Sequence, residues 1–336
     1  MKLQMSHDAL NEAFESLKDS YRLIAPVRKP FRGTMADTDA IRYEEITRFE
    51  QIEFDAKAQF SAKEIFQPIT QVLFYFTEEE YKVPAADDKK ILVFLRACDI
   101  HAVDRVDTIY LENGPVDPYY KQIRDRVEFA LIGCESSYRN CFCVSMGTNK
   151  AENYAIGIKP AGDSVCLDVK SDSLKVKFKM QDHQVADFEM DFVTENEIKV
   201  ETPENLDGQA IADHEVFREY DSRCVACGKC NFVCPTCTCF AMQDIFYKDN
   251  ENTGERRRVW SSCHVDGYTD MAGGHGFRKK YGDRMRFKTL HKVHDYNKRF
   301  NKHMCIGCGR CDDACPSYIS FSNCVNKVTN VAKEGL

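Results

Sequence analysis

Cysteine spacing constrains this chain more than any other feature. Cys224, Cys227, Cys230 and Cys234-Pro235 follow the pattern C-x2-C-x2-C-x3-C-P, and Cys305, Cys308, Cys311 and Cys315-Pro316 repeat it with nothing added or lost. Thiolates two residues apart can grip one iron-sulfur cube from a single turn of backbone. The glycines in Gly228-Lys229 and Gly307-Cys308-Gly309 let that turn approach the sulfides closely. The fourth cysteine of such a run cannot reach the same cube, and where two clusters are present it crosses to the other. The spacing therefore predicts two 4Fe-4S clusters, one held by Cys224, Cys227, Cys230 and Cys315, the other by Cys305, Cys308, Cys311 and Cys234. A pair of zinc knuckles is the alternative. Zinc sites use C-x2-C pairs, but a third cysteine at the same interval followed by C-P belongs to iron-sulfur sites.

The chain has 17 cysteines and no recognisable export signal, which points to metal binding in a reducing compartment rather than to disulfides. Met1 to Ser20 reads as an amphipathic helix, with Leu10, Phe14, Leu17 and Tyr21 on one face. The longest apolar runs, Ile91 to Leu95 and Val72 to Phe76, fall far short of the roughly 18 residues a membrane span needs. A cytoplasmic protein is expected. Net charge is -7, yet Glu255 to Lys302 holds 13 Lys and Arg against 5 Asp and Glu. That basic stretch lies between the two motifs and lacks a base-stacking module, so it is read as compensating anionic clusters and offering a docking face, not as binding nucleic acid.

Upstream, Ile91-Leu92-Val93-Phe94-Leu95 has the pattern of a strand buried on both faces. Asp99 is placed as the cap of a following helix that carries Ala102, Val103, Val106, Ile109 and Tyr110, and Val127 to Ile132 as a second strand. In such a strand-helix-strand unit the two strands are parallel and their carboxyl ends share an edge. Cys98 and Cys134 then become neighbours, and the loop from Ser136 to Met146 can bring Cys141 and Cys143 back over the same edge. A third 4Fe-4S cluster held by Cys98, Cys134, Cys141 and Cys143 is the hypothesis. Buried free thiols and a zinc site are the alternatives, since the spacing is irregular.

Between Asn153 and Val200 the pattern turns to period two, with Tyr154, Ile156 and Ile158 and then Leu174, Val176 and Phe178 read as antiparallel strands. Acidic, turn-rich residues from Glu201 to Asp213 suggest a hinge. The predicted architecture is α+β: a mixed α/β domain over 1–213 with the strand-helix-strand unit and antiparallel strands, then an all-α helical ferredoxin domain over 214–336. The 70 residues between Cys234 and Cys305 are assigned to helices at Cys237 to Tyr247 and Asp295 to His303, with a terminal helix from Tyr318 to Lys333. Cys237, Cys239, Cys263, Cys166 and Cys324 are left as packed thiols. His264, His275, His291, His294 and His303 show no catalytic spacing. With no G-x-G-x-x-G after a strand and no G-x-x-x-x-G-K, the chain shows no nicotinamide, flavin or nucleotide site, and no catalytic residue is assigned. It reads as a carrier of electrons for other subunits.

Several stretches together resemble a known family, the iron-sulfur electron-transfer subunits of anaerobic sulfite reductase, related to the beta subunits of cytoplasmic hydrogenases and sulfhydrogenases. They are Cys224 to Phe240, Trp260-Ser261-Ser262-Cys263, Ala272 to Arg278, Cys305 to Pro316, Arg96-Ala97-Cys98-Asp99 and Cys141 to Thr148. Gly276, where hydrogenase relatives tend to carry Asn, leans toward the sulfite reductase branch. The resemblance implies a non-catalytic relay in a dissimilatory-type sulfite reductase, with an NADH-oxidising flavin subunit on one side and a sirohaem subunit reducing sulfite to sulfide on the other. It leaves a hydrogenase or sulfhydrogenase relay as the alternative.

Overall fold

An apolar run such as Ile91 to Leu95 is stable only when both faces of its strand are covered, and the chain supplies that cover from two directions. The computed structural model describes residues 1–85, 87–204, 206–248 and 250–334. Its strands are β1 Lys2–Ser6, β2 Tyr21–Lys29, β3 Ala40–Ile46, β4 Thr70–Phe76, β5 Tyr81–Lys82, β6 Lys90–Arg96, β7 Val127–Ile132, β8 Ile156–Ala161, β9 Ser164–Val169, β10 Gln184–Val185, β11 Phe240–Tyr247 and β12 Asn250–Trp260. An eight-stranded sheet has the order β10-β1-β9-β8-β7-β6-β2-β3. Its centre is parallel, from β8 through β7 and β6 to β2, and its flanks are antiparallel. Leu92 and Phe94 meet Leu10, Phe14 and Leu17 of helix His7–Leu17 on one face. Val93 and Leu95 meet Ile100, Val103 and Val106 of helix Ala97–Asp107 on the other. All four strand residues are fully buried, each worth about 1.5–3 kcal/mol against exposure.

Several local expectations give way to tertiary context. The first helix begins only at His7, because Lys2–Ser6 is spent as strand β1 against β9. Leu174 and Phe178 are not in a strand but on helix Asp172–Lys179. Their separation fits both periods, and Val176, which a buried strand face would have covered, is 63% exposed. Asp99 does not cap its helix: Arg96 stands at the N-cap, and Asp99 is spent on a more distant partner described below.

The second half overturns the all-α helical ferredoxin domain. Phe240 to Tyr247, expected as helix, is β11, which pairs with β12, and β12 pairs in turn with β4 from the first half of the chain. With β5 they form a four-stranded sheet of order β11-β12-β4-β5, and a two-stranded ribbon joins Asp270–Met271 to His275–Gly276. The protein is mixed α/β throughout. Phe240, Ile245, Phe246, Tyr247, Val259 and Trp260 favour a pleated surface, but β4, the other neighbour of β12, lies far away in sequence and does not show in local composition. The basic run is used in this sheet. Arg256 makes a two-pronged contact with Asp244 across the hairpin at 2.6 Å, and buried Arg258 reaches Asp117 at 2.6 Å and Gln71 at 2.8 Å. Helix Tyr281–Leu290 continues through a wider turn at His291–Asp295 into Tyr296–Phe300, and Phe321–Glu334 closes the chain. Among the described residues no helix is long and apolar enough to cross a membrane.

One ion pair ties the eight-stranded sheet to the second cysteine motif. Arg310 places Nη1 and Nη2 on the two Asp99 carboxylate oxygens at 2.6 and 2.8 Å, and its Nε donates to the Ala58 carbonyl at 2.9 Å. Both side chains are 2% exposed. Removing one partner strands the other as a buried charge. Asp99→Ala is therefore expected to cost about 3–5 kcal/mol, seen as a lowered denaturant midpoint of the anaerobic protein. An unchanged midpoint would show that the pair does not hold the two parts together.

Candidate iron-sulfur sites

Parallel pairing of β6 with β7 brings the residues beyond both strands to one edge of the sheet. Cys98 follows β6 in the first turn of its helix, and Cys134 follows β7 by two residues. The loop after Cys134 carries Cys141 and Cys143 back to the same edge. All four line one cavity, with Lys57, Arg96, Tyr138, Asn196, Arg310 and Cys308 also in its wall. Asn196 fixes the loop: its Oδ1 accepts the Val144 N–H at 2.8 Å and its Nδ2 donates to Ser137 Oγ at 2.8 Å.

That loop is clamped onto the second motif. The Phe142 N–H donates to the Gly307 carbonyl at 2.7 Å, and Thr148 Oγ1 donates to the Ile306 carbonyl at 2.6 Å. Gly307 and Gly309 both have φ of +68°. A Cβ on Gly307 would lie 2.5 Å from the Phe142 carbonyl oxygen, and one on Gly309 would lie 2.1 Å from that of Asn140. Glycine is required at both positions by the backbone angle and by the close approach together.

The last cysteine of each motif lies beside the first three of the other. Cys224 has Cys230, Cys227 and Cys315 as charge neighbours, and these four, with Cys311, line a second cavity. Cys234 is in turn a charge neighbour of Cys305, Cys308 and Cys311. Three groups of four thiols thus lie in a row. Cys308 of the middle group faces the upstream cavity, and Cys311 of the same group faces the cavity of the first motif. Among the described residues no three His, Cys, Asp or Glu side chains are disposed to hold a single metal ion. The thiols ring open spaces instead of closing on a point, as the ligands of a zinc ion do at Zn–S distances of about 2.3 Å.

Burial pushes the Cys305 thiol up to about 12 and those of Cys308 and Cys143 up to about 11. Neutral thiols are favoured there until a metal centre takes the proton's place. Buried cations stand close by. Lys288 and Lys292 are 4% and 2% exposed. Burial disfavours their charge, but the surrounding sulfurs outweigh it and hold both ammonium groups above the usual lysine range. Those sulfurs are Cys230, Cys311, Cys237 and Cys234 for Lys288, and Cys234, Cys237 and Cys305 for Lys292. Lys57 bridges the upstream cavity and the middle group, with Nζ 2.6 Å from Asp313, 3.0 Å from the Cys308 carbonyl and 3.7 Å from Cys141 Sγ.

One orphan tests whether a cluster fits. His264 is 1% exposed, lines the cavity of the first motif, and has no hydrogen-bond partner at either ring nitrogen. Burial, with Lys288 and Arg284 nearby, lowers its pKa to about 3, so the ring is neutral and carries one N–H. A buried donor without an acceptor is costly, and a cluster held by the thiols of this cavity would offer sulfur as the acceptor. The donor set, the cavity and the orphan all fit a 4Fe-4S group.

Sequence reasoning missed Lys57, Asn196, His264, Lys288, Lys292 and Arg310. Lys288 and Lys292 stand four apart on one continuous helix and Arg310 lies inside the second motif, while the others come from separate elements, and nothing in the spacing of any of them points to a cluster. Cys166 sits on β9 outside the three groups, and Cys324 is buried in the terminal helix with Thr289 Oγ1 3.4 Å from its sulfur.

Residues 223–319 match the family described as a 4Fe-4S dicluster domain. The sulfhydrogenase 2 subunit beta of Pyrococcus furiosus is 29% identical over 348 residues, covering 97% of this chain and 96% of that protein. No solved structure matches the chain. The chain thus contains a dicluster segment, and it is similar along nearly its whole length to a hydrogenase-type subunit.

Proposed function

We propose that this protein is an electron-transfer subunit that passes single electrons along three 4Fe-4S clusters. Cys98, Cys134, Cys141 and Cys143 hold one, Cys305, Cys308, Cys311 and Cys234 the middle one, and Cys224, Cys227, Cys230 and Cys315 the last. The observation that carries the reading is the sharing of walls: Cys308 belongs to the middle group and the upstream cavity, and Cys311 to the middle group and the other cavity. Both ends reach the surface, at Glu135 and Ser136 on one side and at Cys227 on the other. A relay with two exposed ends and a buried middle suits one partner that delivers electrons and another that takes them. The chain itself contributes spacing, charge and hydrogen bonds, which set cluster potentials.

The relative's name favours a hydrogenase or sulfhydrogenase-type complex over anaerobic sulfite reductase, which among the resembling stretches only Gly276 sets apart. On the first reading the partners are a hydrogen-activating subunit and an NADH-oxidising flavin subunit. On the second a sirohaem subunit takes the electrons. Isolating the complex from its native source separates the two: nickel with hydrogen oxidation supports the first, and a sirohaem absorption band with sulfite reduction supports the second.

Anaerobically purified protein is expected to hold about 12 iron and about 12 acid-labile sulfide per chain. Cys141→Ser with Cys143→Ser should lower both to about 8, and unchanged iron would return the upstream thiols to packing. His264→Phe removes a donor whose hydrogen bond strengthens as the cluster gains an electron. It should lower the potential of the cluster at the first motif by roughly 40 mV for each kcal/mol of lost differential stabilisation, read by a mediated titration of its paramagnetic signal. An unmoved potential would mean that the ring does not face the cluster.

A further inference from the structure

The outermost strand of an open sheet presents unpaired backbone N–H and C=O groups to whatever lies beside it, and short length, charge or proline usually blunts it. Several edges of this protein are blunted in that way. β5 and β10 are two residues long, and Pro84 follows β5 closely. β3 carries Arg42, Glu44 and Glu45 along its length. β11 has none of these protections. It is the outermost strand of the four-stranded sheet, runs for eight residues as Phe-Ala-Met-Gln-Asp-Ile-Phe-Tyr, and holds no Pro, Gly, Lys or Arg. Its one charge, Asp244, is already held by Arg256 across the hairpin. Phe240, Met242 and Phe246 are exposed.

One hydrogen bond fixes which way the free backbone groups of β11 point. The Ser261 N–H donates to the Cys239 carbonyl at 3.0 Å, one step before the first pair of the hairpin, Phe240 opposite Trp260. In an antiparallel ladder, the residues that bond toward a given neighbour alternate along the strand. Cys239, Ala241, Gln243 and Ile245 therefore turn their amides and carbonyls toward β12, and Phe240, Met242, Asp244 and Phe246 turn theirs away from it. Trp260 agrees, since its N–H donates away from β11, to the Ile69 carbonyl at 2.9 Å. The outward set is centred on Gln243.

We propose that β11 is a self-association edge, on which a second copy of this chain lays its own β11 antiparallel across a two-fold axis at Gln243. In that register Phe240 lies opposite Phe246 of the second copy and Met242 opposite its Asp244, with the reverse pairs by symmetry. Every outward residue then meets an outward residue, and each such pair exchanges two hydrogen bonds. Residues of one face oppose residues of the same face throughout, and exposed phenylalanine rings meet at both ends of the strand pair. Moving the axis to Asp244 would set two carboxylates directly opposite each other and leave Phe240 beyond the end of its partner strand. The donors, acceptors, charge and apolar side chains of β11 are thus complementary to β11 itself, which selects a second copy as the occupant. Two four-stranded sheets would become one continuous sheet. The proposal stands apart from the relay reading, because no thiol takes part in the pairing.

The test uses the full chain, purified anaerobically, with its mass read by light scattering during size-exclusion chromatography over a range of concentrations. Unaltered protein should run as two copies and dissociate on dilution. Met242→Pro should run as one copy. The Met242 amide faces away from β12, so proline there leaves the hairpin ladder intact while removing a donor from the interface. Gln243→Lys and Gln243→Glu each place like charges directly opposite across the axis and should weaken self-association several-fold, and an equal mixture of the two should recover it. Unaltered protein that runs as one copy at every concentration would overturn the proposal. A two-copy mass that none of the variants changes would place the contact on another surface and overturn it as well. Weakened variants whose mixture does not recover would overturn the two-fold register. A native complex with one copy of this chain, in which the Met242 and Asp244 amides are protected from hydrogen exchange, would put another subunit on this edge and exclude the second copy. The Gln243 side chain is exposed, so its variants decide the matter even if Met242→Pro fails to fold.

Discussion

Burying sulfur ligands for anionic clusters creates an electrostatic demand that organises much of this molecule. A thiolate removed from water is unfavourable unless positive charge or metal meets it, and burial alone drives these thiols toward neutrality. The chain answers with cations that are themselves buried. Lys288 and Lys292 come from the helix that begins at Tyr281, Lys57 from the loop after β3, and Arg310 from the second motif. Each would be costly where it lies without the sulfurs, and the sulfurs would be costly without them. Arg310 carries the coupling furthest, since its carboxylate partner Asp99 lies in the helix that follows β6.

The same coupling explains why the sheet and the cysteine motifs cannot be treated as separate pieces. Parallel pairing of β6 and β7 decides where Cys98 and Cys134 fall, and the loop they frame is hydrogen-bonded to the backbone of Gly307 and Ile306. Two glycines in the left-handed region let that loop lie directly on the motif. Shifting the loop would disturb the upstream cavity and the middle thiol group together.

The site was more legible in the sequence than the fold. Eight cysteines announced themselves by spacing, because a cubane imposes the same short-range geometry wherever it is bound. The meeting of Cys98, Cys134, Cys141 and Cys143 in one cavity was reached through topology, by asking which residues a strand-helix-strand unit leaves at one edge. The β11–β12 hairpin was missed because its stability comes from β4, far away in the chain, and helix Asp172–Lys179 because two apolar residues four apart satisfy both periods. His264 and the buried lysines gave no signal at all. A single residue contributed from a distant element has no pattern to read, and only its unpaired nitrogens or its burial among sulfurs reveals it.

The pairing of β4 with β12 bears on how the chain is made. Thr70 to Phe76 reads Thr-Gln-Val-Leu-Phe-Tyr-Phe, a short aromatic and β-branched segment without charge, the composition that favours edge-to-edge association. Its main partner, β12, ends at Trp260, and at synthesis rates of ~5–20 residues per second the segment waits on the order of ten seconds or more for it. During that interval β5, two residues long, is the only neighbour in its sheet already synthesised. Newly made protein therefore passes through a period when an uncharged, aromatic strand is without its main partner.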